Sequence, residues 1–316
     1  MQIGQVPHAR RLGRTGKGGI YGDRPIWLVA PAAVLIVVII VLPVLLGVYI
    51  AFFNVNVYTL GKWFQAPFVG VKNFTYTLLN TNSAVGSAAH GVLVSIKFAV
   101  LSTLVATPIG ILGALTVNHR FAGRSFFRSW YLVPYVIPLV VTATVGRMMF
   151  LNGTGIVDRA LSLMGVSAKT YWLLGPKAFW AMLAMEIWQV WPFTYLLILA
   201  GLAAVRDELY EAAEIDGGRY LVKLRYVVLP EVRGLLILSM VLSTIFHLGN
   251  FTLPFVMFSN PPPLSVAVLP IDVYYRAFTA VQFGQAAAAG VLMIVVFLIP
   301  AYIYIRASRL REALSS

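Results

Sequence analysis

The sequence predicts an all-α integral membrane protein with six spanning helices, and three observations lead to it. Only 11% of the 316 residues are charged and 59% are hydrophobic, whereas a soluble domain carries nearer a quarter charged residues. The apolar excess falls into six continuous runs, approximately 27–53, 90–117, 126–149, 177–201, 234–258 and 286–306. Each meets or exceeds the roughly 20 residues that cross a bilayer core as a helix. The basic residues, third, concentrate in alternate connections between the runs, as topology signals do.

The runs do not alternate in period two, which argues against a barrel, and in hydrocarbon a helix satisfies its own backbone. The first run is too long for the apolar region of a signal peptide, and no small-residue cleavage pattern follows at Asn54. It reads as an uncleaved first helix. Residues 1–25, rich in Gly and Arg, read as a disordered basic cytoplasmic tail ahead of a membrane domain at 26–316. Cysteine is absent, which excludes disulfides and thiolate metal sites.

A formal charge of +13 raises nucleic-acid binding, but no basic stripe interleaves with aromatics as such a surface requires. The tail holds Arg10, Arg11, Arg14, Lys17 and Arg24. Three more basic residues follow the second run (Arg120, Arg124, Arg128), and five follow the fourth (Arg206, Arg219, Lys223, Arg225, Arg233). With Arg306, Arg309 and Arg311, one side carries sixteen and the other only six. Both termini are therefore expected in the cytoplasm. The external segment 54–89 contains Tyr58, Trp63, Phe64, Phe68 and Phe74, which suit a membrane interface. No internal repeat is visible, which disfavours an inverted-repeat carrier.

The most informative stretch is cytoplasmic, DELYEAAEIDGGRYLVKLRYVVLP at 207–230. Asp207 and Glu208 fit the first turn of a short helix, where negative charge complements the dipole. Gly217 and Gly218 supply a left-handed stop, and Pro230 suits the first turn of the next helix. Glu211-Ala212-Ala213, three residues, Gly217, nine residues, Val227, one residue and Leu229-Pro230 resemble the hallmark loop of ABC importer permeases. That hallmark has Ile where Val227 stands.

The resemblance implies a type I ABC importer permease fold and a coupling helix that docks on a separate ATPase. Glu211, Ala212, Ala213, Asp216, Gly217, Leu229 and Pro230 are the matching coupling residues. It extends over roughly 90–306 and is similar in particular to the carbohydrate-uptake branch, of maltose and glycerol-phosphate type. It implies a bacterial or archaeal cytoplasmic membrane, a second permease subunit, two copies of an ABC ATPase with ATP and magnesium, and an extracytoplasmic substrate-binding protein. This chain has no phosphate loop of its own: Gly13 to Gly18 has the wrong spacing and no hydroxyl after Lys17. Hydrolysis then belongs to the partner. One departure is the turn Pro261–Pro263, where that branch often has a glycine-rich one.

Polar residues within spans mark pathways. Glu186 is the only acidic residue inside any run, beside Trp188, Gln189, Trp191 and Pro192. Pro192 frees the carbonyl of Trp188, and Pro254 frees that of Asn250 beside His247. Pro134 and Pro138 mark the third run likewise. Three helices thus combine kinks with polar or aromatic residues, which points to a shared polar cavity. The residues alone leave Glu186 open to pairing with Lys97 or Arg147, or to ion coupling in a secondary transporter. His247 is open to a bond between helices. No His-Glu-x-x-His or paired Asp motif supports an intramembrane enzyme. The resemblance implies substrate contacts at Tyr135, Leu139, Glu186, Val190, Phe193, His247, Gly249 and Asn250. Leu139 and Val190 depart from the polar or Gly residues of the maltose branch.

Overall fold

The computed structural model describes residues 26–119, 121–165, 170–215 and 220–315. The tail 1–25, and with it Gly13 to Gly18, lies outside them, as do Asp216, Gly217 and Gly218 of the cytoplasmic loop. The chain divides into two units, Met1–Leu46 and Gly47–Ser316. In the first, α1 (Ile26–Ile36) continues through a π-turn at Val37–Val41 into α2 (Leu42–Ile50), which runs on past Leu46.

The second unit opens with α3 (Lys72–Leu79), then α4 (Ala88–Thr116) and the short helices α5 (Arg124–Trp130), α6 (Val133–Val136), α7 (Leu139–Met149) and α8 (Ile156–Leu163). There follow α9 (Lys177–Leu202), α10 (Asp207–Ile215), α11 (Tyr220–Lys223), α12 (Leu229–Leu248), α13 (Thr252–Met257), α14 (Leu269–Tyr274) and α15 (Phe283–Ser315). Five helical segments are long and apolar enough to cross a membrane, and a sixth span forms if the bent pair 124–136 and 139–149 is counted as one.

Two of the six expected runs fold differently from single helices. The third breaks by 86° between Val136 and Leu139. Pro138 is responsible: a proline disfavours the helical conformation of the residue before it, and Ile137 is extended at φ −67°, ψ 130°. The fifth was expected at 234–258. Its helix instead starts at Tyr220 and ends at Leu248, and α13 is a separate piece beyond Gly249–Phe251. Pro254 therefore kinks nothing. It sits in the first turn of α13, where a missing N–H costs little.

Pro230 corrects a second expectation. The chain is helical without interruption from Tyr220 to Leu248, so Pro230 lies inside that path rather than at its start. A π-turn at Leu224–Val228 immediately precedes it, with the Leu229 N–H reaching back five residues to Leu224. Val37–Val41 stands in the same relation to Leu42-Pro43. In both places a widened turn precedes the proline, whose ring would otherwise meet the carbonyl four residues back.

The packing centre is α4 against α9, with α12 laid on both. The buried face of α4 is built from small residues, among them Ser95, Ala99, Ser102, Ala106, Gly110 and Ala114. Such faces let helices approach closely where lipid supplies no hydrophobic drive. A Cβ at Gly110 would lie 2.7 Å from Thr194 Cβ and 2.9 Å from the Trp191 carbonyl oxygen. One apolar core gathers Phe98, Phe179, Met182, Leu253 and Met257, and a second gathers Tyr195, Ile198, Leu202, Val228 and Val232.

The connections between the spans are tied down by polar contacts. Arg276 donates to both oxygens of Asp272 at 2.9 Å and to the Gln285 side chain at 3.3 Å. Burial pushes the Asp272 carboxyl up from its ordinary value, and the arginine opposes that. The turn Pro261–Pro263 follows a cis Asn260–Pro261 bond. Beyond the turn, His90 Nε2 donates to the Leu264 carbonyl at 2.9 Å, and Ser265 donates to the Gly175 carbonyl at 2.6 Å.

The α4–α9 contact gives a direct test. Gly110→Ala places a methyl against backbone that cannot yield, so it should destabilise by roughly 1–3 kcal/mol. Gly290→Ala, with nothing within 4 Å of the new Cβ, should hold or raise stability through helix propensity. Thermal unfolding midpoints in detergent separate the two.

Candidate functional site

Glu186 projects from the middle of α9, and its carboxylate is held by two residues of the broken fifth run. His247 Nδ1 lies 2.7 Å from Oε1, and Asn250 Nδ2 donates to Oε2 at 2.7 Å. Glu186 and His247 are 2% and 1% exposed, so water does not compete for these bonds. A carboxylate buried among apolar helices is costly unless its lone pairs are engaged, and here both oxygens are. The pairing with Lys97 or Arg147 considered from sequence does not form. Lys97 instead stands over the Phe179 ring at 4.3 Å.

Asn250 also holds the break open. Its Oδ1 accepts the Leu253 N–H at 3.1 Å, engaging a backbone donor that α13 leaves without a helical partner. The same side chain thus anchors Glu186 and starts α13, just past Gly249 where α12 ends. His247 meets Phe98 of α4 edge to face at 6.4 Å. Its Nε2 is buried with no hydrogen-bond partner.

Gln189, one turn beyond Glu186, secures the other break. Its Nε2 donates to the Ile137 carbonyl at 2.8 Å, and its Oε1 accepts the Thr142 hydroxyl. The carbonyl at Ile137 is among those the bend removes from helical bonding, so a side-chain amide replaces the lost backbone donor. One face of α9 therefore fixes the broken third run with Gln189 and the broken fifth with Glu186.

Between these elements lies a cavity of about 330 Å³. Of the eight residues expected to share it, Tyr135, Leu139, Glu186, Val190, Gly249 and Asn250 line it. Phe193 does not, but its ring stands 6.3 Å from Tyr135 and 6.0 Å from Phe246, which does. His247 sits behind the wall, on Glu186. Gln189, Phe246, Phe251 and Thr252 complete the lining and were not among the expected contacts. Gln189 was legible in principle, being three residues from Glu186 on the same helical face. Phe251 and Thr252 were hidden because a continuous helix would have turned them elsewhere.

On the loop expected to face the cytoplasm, α10 spans Asp207–Ile215. Asp207 and Glu208 open the helix, as their charges suggested. Glu211 and Ile215, one turn apart, are both exposed, Ile215 by 87%, while Ala213 is half-buried. The Ala212 side chain lies outside the described residues, with Asp216 and Gly217. Leu229 is half-buried and Pro230 exposed.

Residues 106–311 match the family model for the binding-protein-dependent transport system inner membrane component. The chain belongs to that family. It is a multi-pass membrane permease of the ABC importer class. The permease is 29% identical over 289 residues to the trehalose/maltose transport system permease protein of Thermococcus litoralis, covering 90% of this chain and 93% of that one. It is 28% identical to the sulfoquinovosyl glycerol transport system permease protein of Agrobacterium fabrum, over 92% of each chain. Among solved structures, a chain of the bacterial alginate ABC transporter in complex with alginate pentasaccharide-bound periplasmic protein superposes with a TM-score of 0.76. That match covers 90% of this permease and 93% of that chain at 21% identity. It establishes the type I importer permease fold.

A double-mutant cycle tests the geometry of the bridge. Asn250→Ala and Glu186→Gln should each destabilise the permease, with a coupling of roughly 0.5–3 kcal/mol between them. Additive losses in thermal unfolding would mean the Glu186–Asn250 bond contributes nothing.

Proposed function

We propose that the permease conducts a sugar through the cavity between α6–α7, α9 and α12–α13, with both termini cytoplasmic. The observation that carries this reading is the lining itself. Aromatic faces at Tyr135, Phe246 and Phe251 stand with hydrogen-bonding groups at Glu186, Gln189, Asn250 and Thr252 around one space. Rings of that kind cover the C–H face of a pyranose, while the polar groups bind its hydroxyls. The names of the relatives, trehalose/maltose and sulfoquinovosyl glycerol transport, support a sugar over other polar solutes.

Breaks in two of the three helices that form the cavity give the path its means of opening. A broken helix concentrates its freedom at the break, so α7 and α13 can move against α9 without unwinding a full span. α13 packs on α7, which links the two breaks mechanically. An extracytoplasmic binding protein delivers the sugar to the outer segments 54–89, 150–176 and 259–285. A second permease completes the channel.

Coupling runs through α10. Two ATPase subunits bind the loop that carries Glu211, Ala212, Ala213, Asp216 and Gly217, and the continuous helix from Tyr220 transmits their movement past Leu229 and Pro230 to the cavity. The exposed Glu211 and Ile215 give α10 one charged and one apolar contact for that joint. ATP and magnesium are held by the ATPase. Binding closes the ATPases and opens the path outward, and hydrolysis resets it.

Glu211→Lys should abolish sugar uptake in cells expressing the full importer while leaving the permease in the membrane at its normal level. A detergent pull-down should recover the ATPase with the native chain and lose it with the variant. Normal uptake by Glu211→Lys would remove α10 from the coupling role.

A further inference from the structure

We infer that Glu186 makes this path selective for uncharged sugars and against anionic ones. The inference rests on the cavity being the sugar path. Family membership leaves the charge of the solute open. One relative is named for sulfoquinovosyl glycerol, a sulfonated sugar derivative, and one structural neighbour for import of the acidic polysaccharide alginate, while another relative is named for trehalose/maltose.

The cavity settles the sign by its composition. Among the described residues that line it there is no Lys or Arg, and Glu186 is the one charged group. His247 stands behind Glu186, its Nδ1 2.7 Å from Oε1, and does not line the cavity. Asn250 donates to the second oxygen as a neutral amide. The wall therefore presents a carboxylate to the cavity and no cation.

Four helix ends border the cavity, two of each sign. α7 and α13 begin there, at Leu139 and Thr252, presenting positive ends, and α6 and α12 end there, at Val136 and Leu248, presenting negative ones. The two signs leave no surplus to offset the carboxylate. An uncharged sugar can place hydroxyls against Thr252 and the polar wall without meeting a like charge. An anionic sugar in the same space meets a like charge in a site that water screens poorly, which should weaken its binding by roughly 10- to 100-fold.

The test measures binding of trehalose and of trehalose oxidised to the uronic acid at one C6. The importer complex is held in nanodiscs, without its soluble binding protein, and saturation-transfer NMR reads weak ligands directly. The native complex should bind trehalose at least ~10-fold more tightly than the acid, and Glu186→Gln should narrow that ratio to about 2-fold or less. Should Glu186→Gln not assemble, Leu139→Lys places a cation on the same wall without touching the Glu186 contacts. It should bring the acid to parity with trehalose or beyond. Equal binding of the two sugars by the native complex, or a ratio that neither substitution moves, would overturn the inference. Failure of the underlying path reading looks different: neither sugar binds the native complex at all, and the inference falls with it.

Discussion

The buried carboxylate of Glu186 is the constraint around which the centre of this permease is organised. A charged group in a spanning helix is tolerated only when its oxygens are engaged. The two engaging residues, His247 and Asn250, come from the point where α12 stops. Had the fifth run continued as one helix through residue 258, Asn250 could not both meet Glu186 and open α13. The bond and the break are consequently one feature. Gln189 repeats the arrangement on the other side of the cavity, donating to the Ile137 carbonyl beside the bend at Pro138.

These two side chains explain how a helix pair as closely packed as α4 and α9 can border an open space. Small residues on α4 let α9 come near and keep it still. The rigid pair then offers its polar face to elements that are interrupted, α6–α7 and α12–α13. Rigidity on one wall and breaks on the other suit a path that must change shape while keeping its contacts in register. The long helix from Tyr220 to Leu248 ends at that wall and begins beside the α10 loop, so one element spans the distance between that loop and the cavity.

Much of this was legible in the sequence, for reasons that differ by residue. Apolar length alone placed the spans, because the bilayer imposes it. The Glu211 to Pro230 spacing, backed by basic connections on one side, pointed to the family. Glu186, His247 and Asn250 were grouped as polar residues that lipid would reject, yet only Lys97 and Arg147 were weighed as ion-pair partners of Glu186. Pairing depends on where helices break, and hydropathy does not report breaks: residues 249–258 are as apolar as a helix. Pro254 looked like a kink and proved to be a helix start. Gln189 was passed over because its task, serving a carbonyl at a bend in another helix, exists only once that bend is known.

The central claim is that sugar passes against Glu186 in the cavity between the third, fourth and fifth spans of this chain. Cryo-electron microscopy of the assembled importer, trapped with trehalose and a non-hydrolysable nucleotide, tests it most directly. Sugar density between Tyr135, Glu186 and Asn250 is the predicted result. Sugar held wholly by the second permease, with this cavity closed by its own side chains, would contradict it.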